Sequence, residues 1–206
     1  YSINIMNRID CFVPFVSDEQ VAVTAGNLRA QDEVAKVEFL DAATFKSTAS
    51  IRKIAYAATA PFTMIYTKTT ELSFGQFALE RFLSIAEDSS AAMVYADHFN
   101  EVDGNRAFAP VIDCQQGALR DDFDFGSVLI YRTSALKDAV AGMDVDYEYA
   151  GLYDLRLKVS QKGSLVHINE YLYYEIETDT RKSGEKLFDY VDPKNRAVQI
   201  EMEKAC

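Results

Sequence analysis

Three polar residues in a row, Thr67-Lys68-Thr69, follow the apolar run Phe62-Thr63-Met64-Ile65-Tyr66. In an open α/β sheet, ligands bind beyond the carboxyl ends of the strands. A strand over 62–66 would therefore set these three at the mouth of any small-molecule site. Their chemistry is that of an anion cradle: one fixed ammonium charge between two hydroxyls. The plainer reading is a polar strand end with a solvated lysine. Elsewhere, chemistry-bearing residues are scattered. His98 and His167 are the only histidines and stand apart, so neither a Ser-His-Asp triad nor a zinc site has a pattern behind it. Asp121-Asp122-Phe123-Asp124 is an acidic cluster, readable as an acceptor or ion contact or as a solvated loop. Asp144-x-Asp146-x-Glu148 starts like a calcium loop. It fails because Tyr149 replaces the required glycine and Leu155 the twelfth-position glutamate.

Composition bounds what this chemistry can serve. The chain has 206 residues, 49% hydrophobic and 26% charged, enough for one large core with a small appendage. No apolar run approaches the roughly 18 residues of a membrane span. The start, Tyr-Ser-Ile-Asn-Ile-Met-Asn-Arg, lacks the shape of a signal peptide, and a first residue other than Met is compatible with a processed or trimmed start. The net charge of −11 argues against nucleic acid, which needs a basic face. An anionic ligand would need local help from a lysine, a helix N-terminus or a metal. Cys11, Cys114 and Cys206 are distant and odd in number, forming no disulfide framework. Reduced thiols point to a reducing, cytoplasmic compartment.

The elements that must position these residues alternate. Ile9–Phe15 is a nearly continuous apolar strand, as expected where both faces are covered. Ser17 then caps a helix running through Ala30. Val34–Leu40 is a second strand with Asp41 just past its end. A helix fills Ala49–Ala58, the strand Phe62–Tyr66 follows, and a helix over Ser73–Ala86 carries Phe74, Phe77, Ala78, Phe82 and Ile85 on one stripe. Ala91–Tyr95 is a fourth strand, ending at Asp97-His98. This order predicts an α/β, three-layer α/β/α domain with a mainly parallel sheet. Asp103-Gly104 marks a hairpin. Beyond it come a strand over Gly126–Tyr131, a helix over Ser134–Ala141, a helix over Tyr149–Ser160 ended by Gly163, and strands over Leu165–Ile168 and Tyr171–Ile176. Pro193–Cys206 reads as an amphipathic helix with nothing obvious to cover Val198, Ile200 and Met202. The domain is expected over residues 1–180, with 181–206 an extension leading to further chain.

The order of these pieces resembles glycosyltransferase family 2, on the GT-A (nucleotide-diphospho-sugar transferase) fold. The pieces that carry the resemblance are Asp10–Phe15, Val37–Asp41, Thr48–Pro61, Met93-Val94-Tyr95-Ala96-Asp97-His98 with Asp103-Gly104, Gly126–Leu136, and Tyr153-Asp154-Leu155-Arg156-Leu157 with Gly163–Tyr174. The resemblance implies transfer of a sugar from a nucleotide-diphosphate donor to an acceptor hydroxyl. Its donor pocket would lie at Phe15, Asp41, Thr67, Lys68, Thr69 and Asp97. Asp41 would contact the base or else cap the next turn; Asp97 would sit near the sugar or else order the hairpin. The family's metal-binding Asp-x-Asp falls on Thr67-Lys68-Thr69, so Mg²⁺ or Mn²⁺ would need other carboxylates. Its acidic general-base pair falls on Gly151-Leu152, leaving Glu148 and Asp154 nearest, with Asp154 the candidate catalytic base or a structural partner. The rival reading is a catalytically degenerate domain that binds or scaffolds beside an active domain of a longer chain. A nucleotidyltransferase is weaker, because Val16–Gln20 offers neither glycine nor a basic residue.

Overall fold

The apolar runs pair into one sheet of eight strands. The computed structural model describes residues 8–115, 123–177 and 193–206. In chain order the elements are β1 (Ile9–Phe15), α1 (Asp18–Arg29), β2 (Val34–Asp41), a 3-10 turn (Ala42–Thr44), α2 (Thr48–Ala57), β3 (Phe62–Tyr66), β4 (Glu71–Phe74), α3 (Ala78–Asp88), β5 (Met93–Val102), β6 (Asn105–Ala109), β7 (Val128–Arg132), α4 (Thr133–Ala141), α5 (Gly151–Ser160), β8 (Leu165–Glu177) and α6 (Pro193–Ala205). The sheet order is β2-β1-β3-β7-β5-β8-β4, and β6 forms a hairpin with β5. β2, β1 and β3 are parallel, β7 is inserted antiparallel between β3 and β5, and β8 is parallel to β5. Five strands (β2, β1, β3, β5 and β8) therefore point the same way, and the expected three-layer, mainly parallel arrangement holds.

Alternation along each central strand builds the layers. Cys11, Met64, Val94 and Ile130 face one side, where they meet Leu28 of α1 and Leu79, Phe82 and Leu83 of α3. Phe12, Ile65, Tyr95 and Tyr131 face the other and meet Ile51 and Ile54 of α2, Leu136 of α4 and Leu155 of α5. Strands buried on both faces need apolar residues at every position, which is why they read as runs rather than alternations. Asp10 is a charged exception, fully buried within β1. Its Oδ2 accepts the N–H groups of Thr59 at 2.6 Å and Ala60 at 2.8 Å, fixing the turn that feeds β3. Gly151 opens α5 because nothing larger fits: a Cβ there would lie 2.3 Å from the Thr48 nitrogen. The three cysteines are free. Among the described residues, no helix is long and apolar enough to cross a membrane.

Four expectations need correction. The helix expected over 73–86 begins only at Ala78, because residues 71–74 form the edge strand β4 against β8. Leu72 is buried in that strand, its N–H donated to Thr24 Oγ1 and its carbonyl taken by Asn27. Pairing with an open sheet edge thus overrides the helical stripe, and Phe77 is left 67% exposed outside it. β5 does not stop at Asp97 but runs on to Val102, and the two strands expected over 165–176 are one, with register shifts where β8 passes Asp97. Gly163 is not the helix cap; α5 ends at Ser160 with Gln161 as its C-cap, and Gly163 lets the chain pass Ala92, where a Cβ would sit 3.0 Å from the alanine methyl.

The last helix is also partnered. The Glu201 carboxylate on α6 accepts the backbone N–H groups of Glu148 at 3.1 Å, Tyr149 at 2.6 Å and Ala150 at 3.0 Å. These are donors ahead of α5 that have no helical acceptor. Residues 181–192 of the expected extension lie outside the described residues. Burial pushes the Glu201 carboxyl up, but the three N–H donors outweigh it and hold it below the ordinary glutamate value. Glu201→Ala is expected to lower stability by about 1–2 kcal/mol, the usual scale for a lost cap, and to raise amide exchange at 148–150 and along α6. In the parent protein this contribution is present above the ordinary glutamate value and fades as pH falls below it. Hydrogen exchange of the parent and variant at two pH values checks both.

Candidate functional site

The carboxyl ends of β1 and β3 open onto two adjoining cavities. One, of about 250 Å³, lies over the strand ends, with Pro14, Lys46, Thr67, Thr69 and Glu148 on its walls. The other, of about 210 Å³, lies between the start of β7, α5 and α6, and includes Phe125, Leu129, Tyr131, Leu152 and Arg156. Lys46, Thr67, Tyr149 and Met202 border both. The loop after β3 is held in place by local bonds. Thr67 N–H donates to Ser127 O at 2.9 Å, Tyr66 Oη and Thr70 Oγ1 are 2.7 Å apart, and Gln20 donates to Thr69 O.

Lys68 does not stand solvated at the strand end. It pairs with Glu175 of β8, whose side chain is only 5% exposed against 50% for the lysine. Ser127 Oγ donates to the same carboxylate, and His98 Nε2 lies 3.3 Å from it. His98 stacks on Tyr173 at 4.9 Å between ring centroids, and the Tyr173 hydroxyl accepts Ser127 N–H at 2.9 Å. Gly126, at φ +72°, makes room: a Cβ there would lie 2.3 Å from Tyr173 Oη. Burial lowers the His98 pKa below the ordinary histidine value; Lys68 adds to this and Glu175 opposes it. A divalent cation fits this set poorly. The one buried carboxylate is already shared by three partners, and no group of three potential metal ligands occurs among the described residues.

The other expected site residues separate. Thr67 and Thr69 line the cavities. Phe15 ends β1 and is 39% exposed at the rim. Asp41 accepts Ala43 N–H at 2.9 Å, capping the 3-10 turn. Asp97 is 1% exposed and accepts Val111 N–H at 2.9 Å, so it orders the chain after the β6 hairpin. His167 is not isolated: its ring nitrogens lie 2.8 Å from Asp97 and 2.7 Å from Asp113. Asp154 is buried on α5 away from the cavities, which are bordered by Tyr149, Leu152, Tyr153 and Arg156. Burial raises the Asp154 pKa, with Lys158 opposing and Asp144 reinforcing. Of the acidic cluster, Asp124 lines the smaller cavity, while Asp121 and Asp122 lie outside the described residues. Glu175, Lys46 and Arg156 were not picked out by the sequence reading. The signal for two of them was a charge inside an apolar run: Glu175 between Tyr174 and Ile176, and Arg156 between Leu155 and Leu157.

No protein-family model and no curated protein sequence matches the chain. Solved structures do match in fold. The TarS 1–349 fragment of S. aureus superposes with a TM-score of 0.59 at 12% identity, over 82% of this chain and 60% of that one. The same fragment in complex with UDP-GlcNAc gives 0.58 at 12% identity, over 96% and 66%. The longer S. aureus TarS gives 0.55 at 12% identity, over 82% of this chain, which spans only 37% of it. The architecture is therefore the GT-A-like fold that TarS has.

The Lys68–Glu175 pair is half in solvent, so its contribution is discounted from that of a fully buried pair. Lys68→Ala is expected to cost about 1–2 kcal/mol, because it strips a charged partner from a buried carboxylate. Adding Glu175→Gln should recover part of the loss. A urea-denaturation double-mutant cycle measures the coupling; additive losses would mean that the pair contributes nothing.

Proposed function

We propose that the chain is a glycosyltransferase-like domain whose cleft takes a nucleoside-diphosphate sugar, with lysines rather than a divalent cation facing the diphosphate. The observation that carries this reading is the cavity at the ends of β1 and β3, walled by Lys46, Thr67 and Thr69. Lys68 stands beside it, oriented by Glu175. On a chain of net charge −11, such local cations are what an anionic ligand requires. TarS, a family 2 glycosyltransferase, supplies the precedent for the ligand, having been crystallised with UDP-GlcNAc and with UDP. Sugar transfer needs a base for the acceptor proton. Among the described residues Asp124 and Glu148 are the carboxylates on the cavity walls, so they replace Asp154 as candidates. The acceptor oxygen would bond to the anomeric carbon as the diphosphate leaves, its proton passing to one of these carboxylates.

A second reading is a binding module without transfer. The poor fit of the Glu175 site to a metal favours it. Calorimetric titration with UDP and UDP-GlcNAc, in Mn²⁺ and in chelator, tests the common part. Binding is expected in both, with Lys46→Ala and Lys68→Ala each weakening it about tenfold, the scale of one charge-assisted hydrogen bond. Binding only with Mn²⁺ would hand the diphosphate to a metal, and none in either condition would overturn the donor reading. Release of free UDP from bound UDP-GlcNAc, lost in Asp124→Asn or Glu148→Gln, separates transferase from module.

A further inference from the structure

One wall of the smaller cavity holds a buried cation that has no counter-ion among the described residues. Arg156 is 8% exposed and lies in α5, where Leu155 and Val159 fix the helix against the sheet. Its guanidinium carbon sits 4.6 Å from the Tyr153 ring centroid and 5.4 Å from that of Phe125. These faces orient the guanidinium but neutralise none of its charge. Its Nη2 is buried with no hydrogen-bond partner, and among the described residues no carboxylate pairs with it. Arginine stays protonated in proteins, so it cannot escape burial by losing its charge. The Tyr131 hydroxyl, on the same cavity, is also buried and unpartnered. Burial pushes the Tyr131 pKa up while Arg156 pulls it down, so the two are in electrostatic reach of each other. Lys46 adds a second cation. Among the described residues Asp124 is the one acid on the wall; it is exposed, and its Oδ1 accepts Gly126 N–H at 2.7 Å.

We infer that this cavity binds a sugar unit bearing an oxyanion, a carboxylate or a phosphate, with Arg156 as its principal anchor. A planar guanidinium fork suits both oxyanions, and Tyr131 supplies a further donor. Phe125, Tyr149 and Tyr153 on the wall add aromatic surface beside the guanidinium. A cavity of about 210 Å³ holds one sugar-sized unit, next to the strand ends. Its assignment as the acceptor side rests on the donor reading above; the anion site itself does not.

The test titrates the full chain with glucuronate, glucose 6-phosphate and glucose, following the aromatic and arginine side-chain resonances by NMR. One or both anionic sugars are expected to bind, and which one does distinguishes carboxylate from phosphate as the physiological group. Glucose is expected to bind at least tenfold more weakly. Arg156→Gln should lose at least tenfold for the anionic sugar with UDP affinity unchanged, Arg156→Lys should recover part of it, and Tyr131→Phe should lose a smaller factor. Glucose binding as well as the anions, or Arg156→Gln leaving their affinity intact, would overturn the inference. Equal loss of UDP and anionic sugar in a variant that still melts cooperatively would do so too, since it means one shared site. Absence of UDP binding alone would sink the donor reading and leave this result standing.

Discussion

A single buried carboxylate, Glu175, ties together the strand ends on which the candidate site is built. It joins Lys68 after β3, Ser127 before β7, and His98 in β5 to its own strand, β8. A charge 5% exposed must be met by partners or it is too costly to keep. Lys68 and Ser127 donate to it and His98 Nε2 lies 3.3 Å from it, each from a different segment. The register of β5 against β8 shifts just before this point, so the network also fixes where the two long strands resume pairing. Gly126 is required because the chain passes against Tyr173, and Tyr173 in turn supports His98.

This arrangement changes the electrostatic logic of the cleft. A pair of carboxylates at the end of a central strand presents negative charge and recruits a divalent ion. Here the carboxylate comes from β8 and lies buried, and the lysine occupies the exposed end. The group turned outward is therefore the ammonium, paired with Glu175 rather than with a metal. Lys46 reinforces it from the other wall of the cavity. On the proposed donor reading, such a cleft would trade the strong, directional polarisation of a metal for fixed ammonium charges. It is suited to holding a diphosphate, and less suited to driving it off as a leaving group.

The sequence made the layers legible because strands covered on both faces announce themselves as apolar runs, and Ser17 and Asp103-Gly104 mark a helix start and a turn by local chemistry. It misjudged the places decided by distant pairing. Ser73 and Phe74 read as the start of a helix, yet the edge of β8 claims residues 71–74 as a strand. The candidate site was half legible for the same reason. Thr67, Lys68 and Thr69 follow from the position of β3 alone. Glu175 is 107 residues from Lys68, and no spacing rule links them. The resemblance implies that Asp97 and Asp41 are ligand residues, but local N–H groups use them as acceptors.

Two buried charges with opposite accounting define this face of the protein. Glu175 is over-provided with donors and needs no ligand. Arg156 has aromatic faces around it and, among the described residues, no acceptor. A fold that needed only a filler between Leu155 and Leu157 could use an apolar side chain there, and replacing a buried ionic group by apolar packing is often neutral or favourable. An unpaired guanidinium is instead tolerable when its missing partner arrives from outside. The same reasoning separates the two cavities: one is organised around a charge already neutralised within the fold, the other around a charge that a ligand must neutralise.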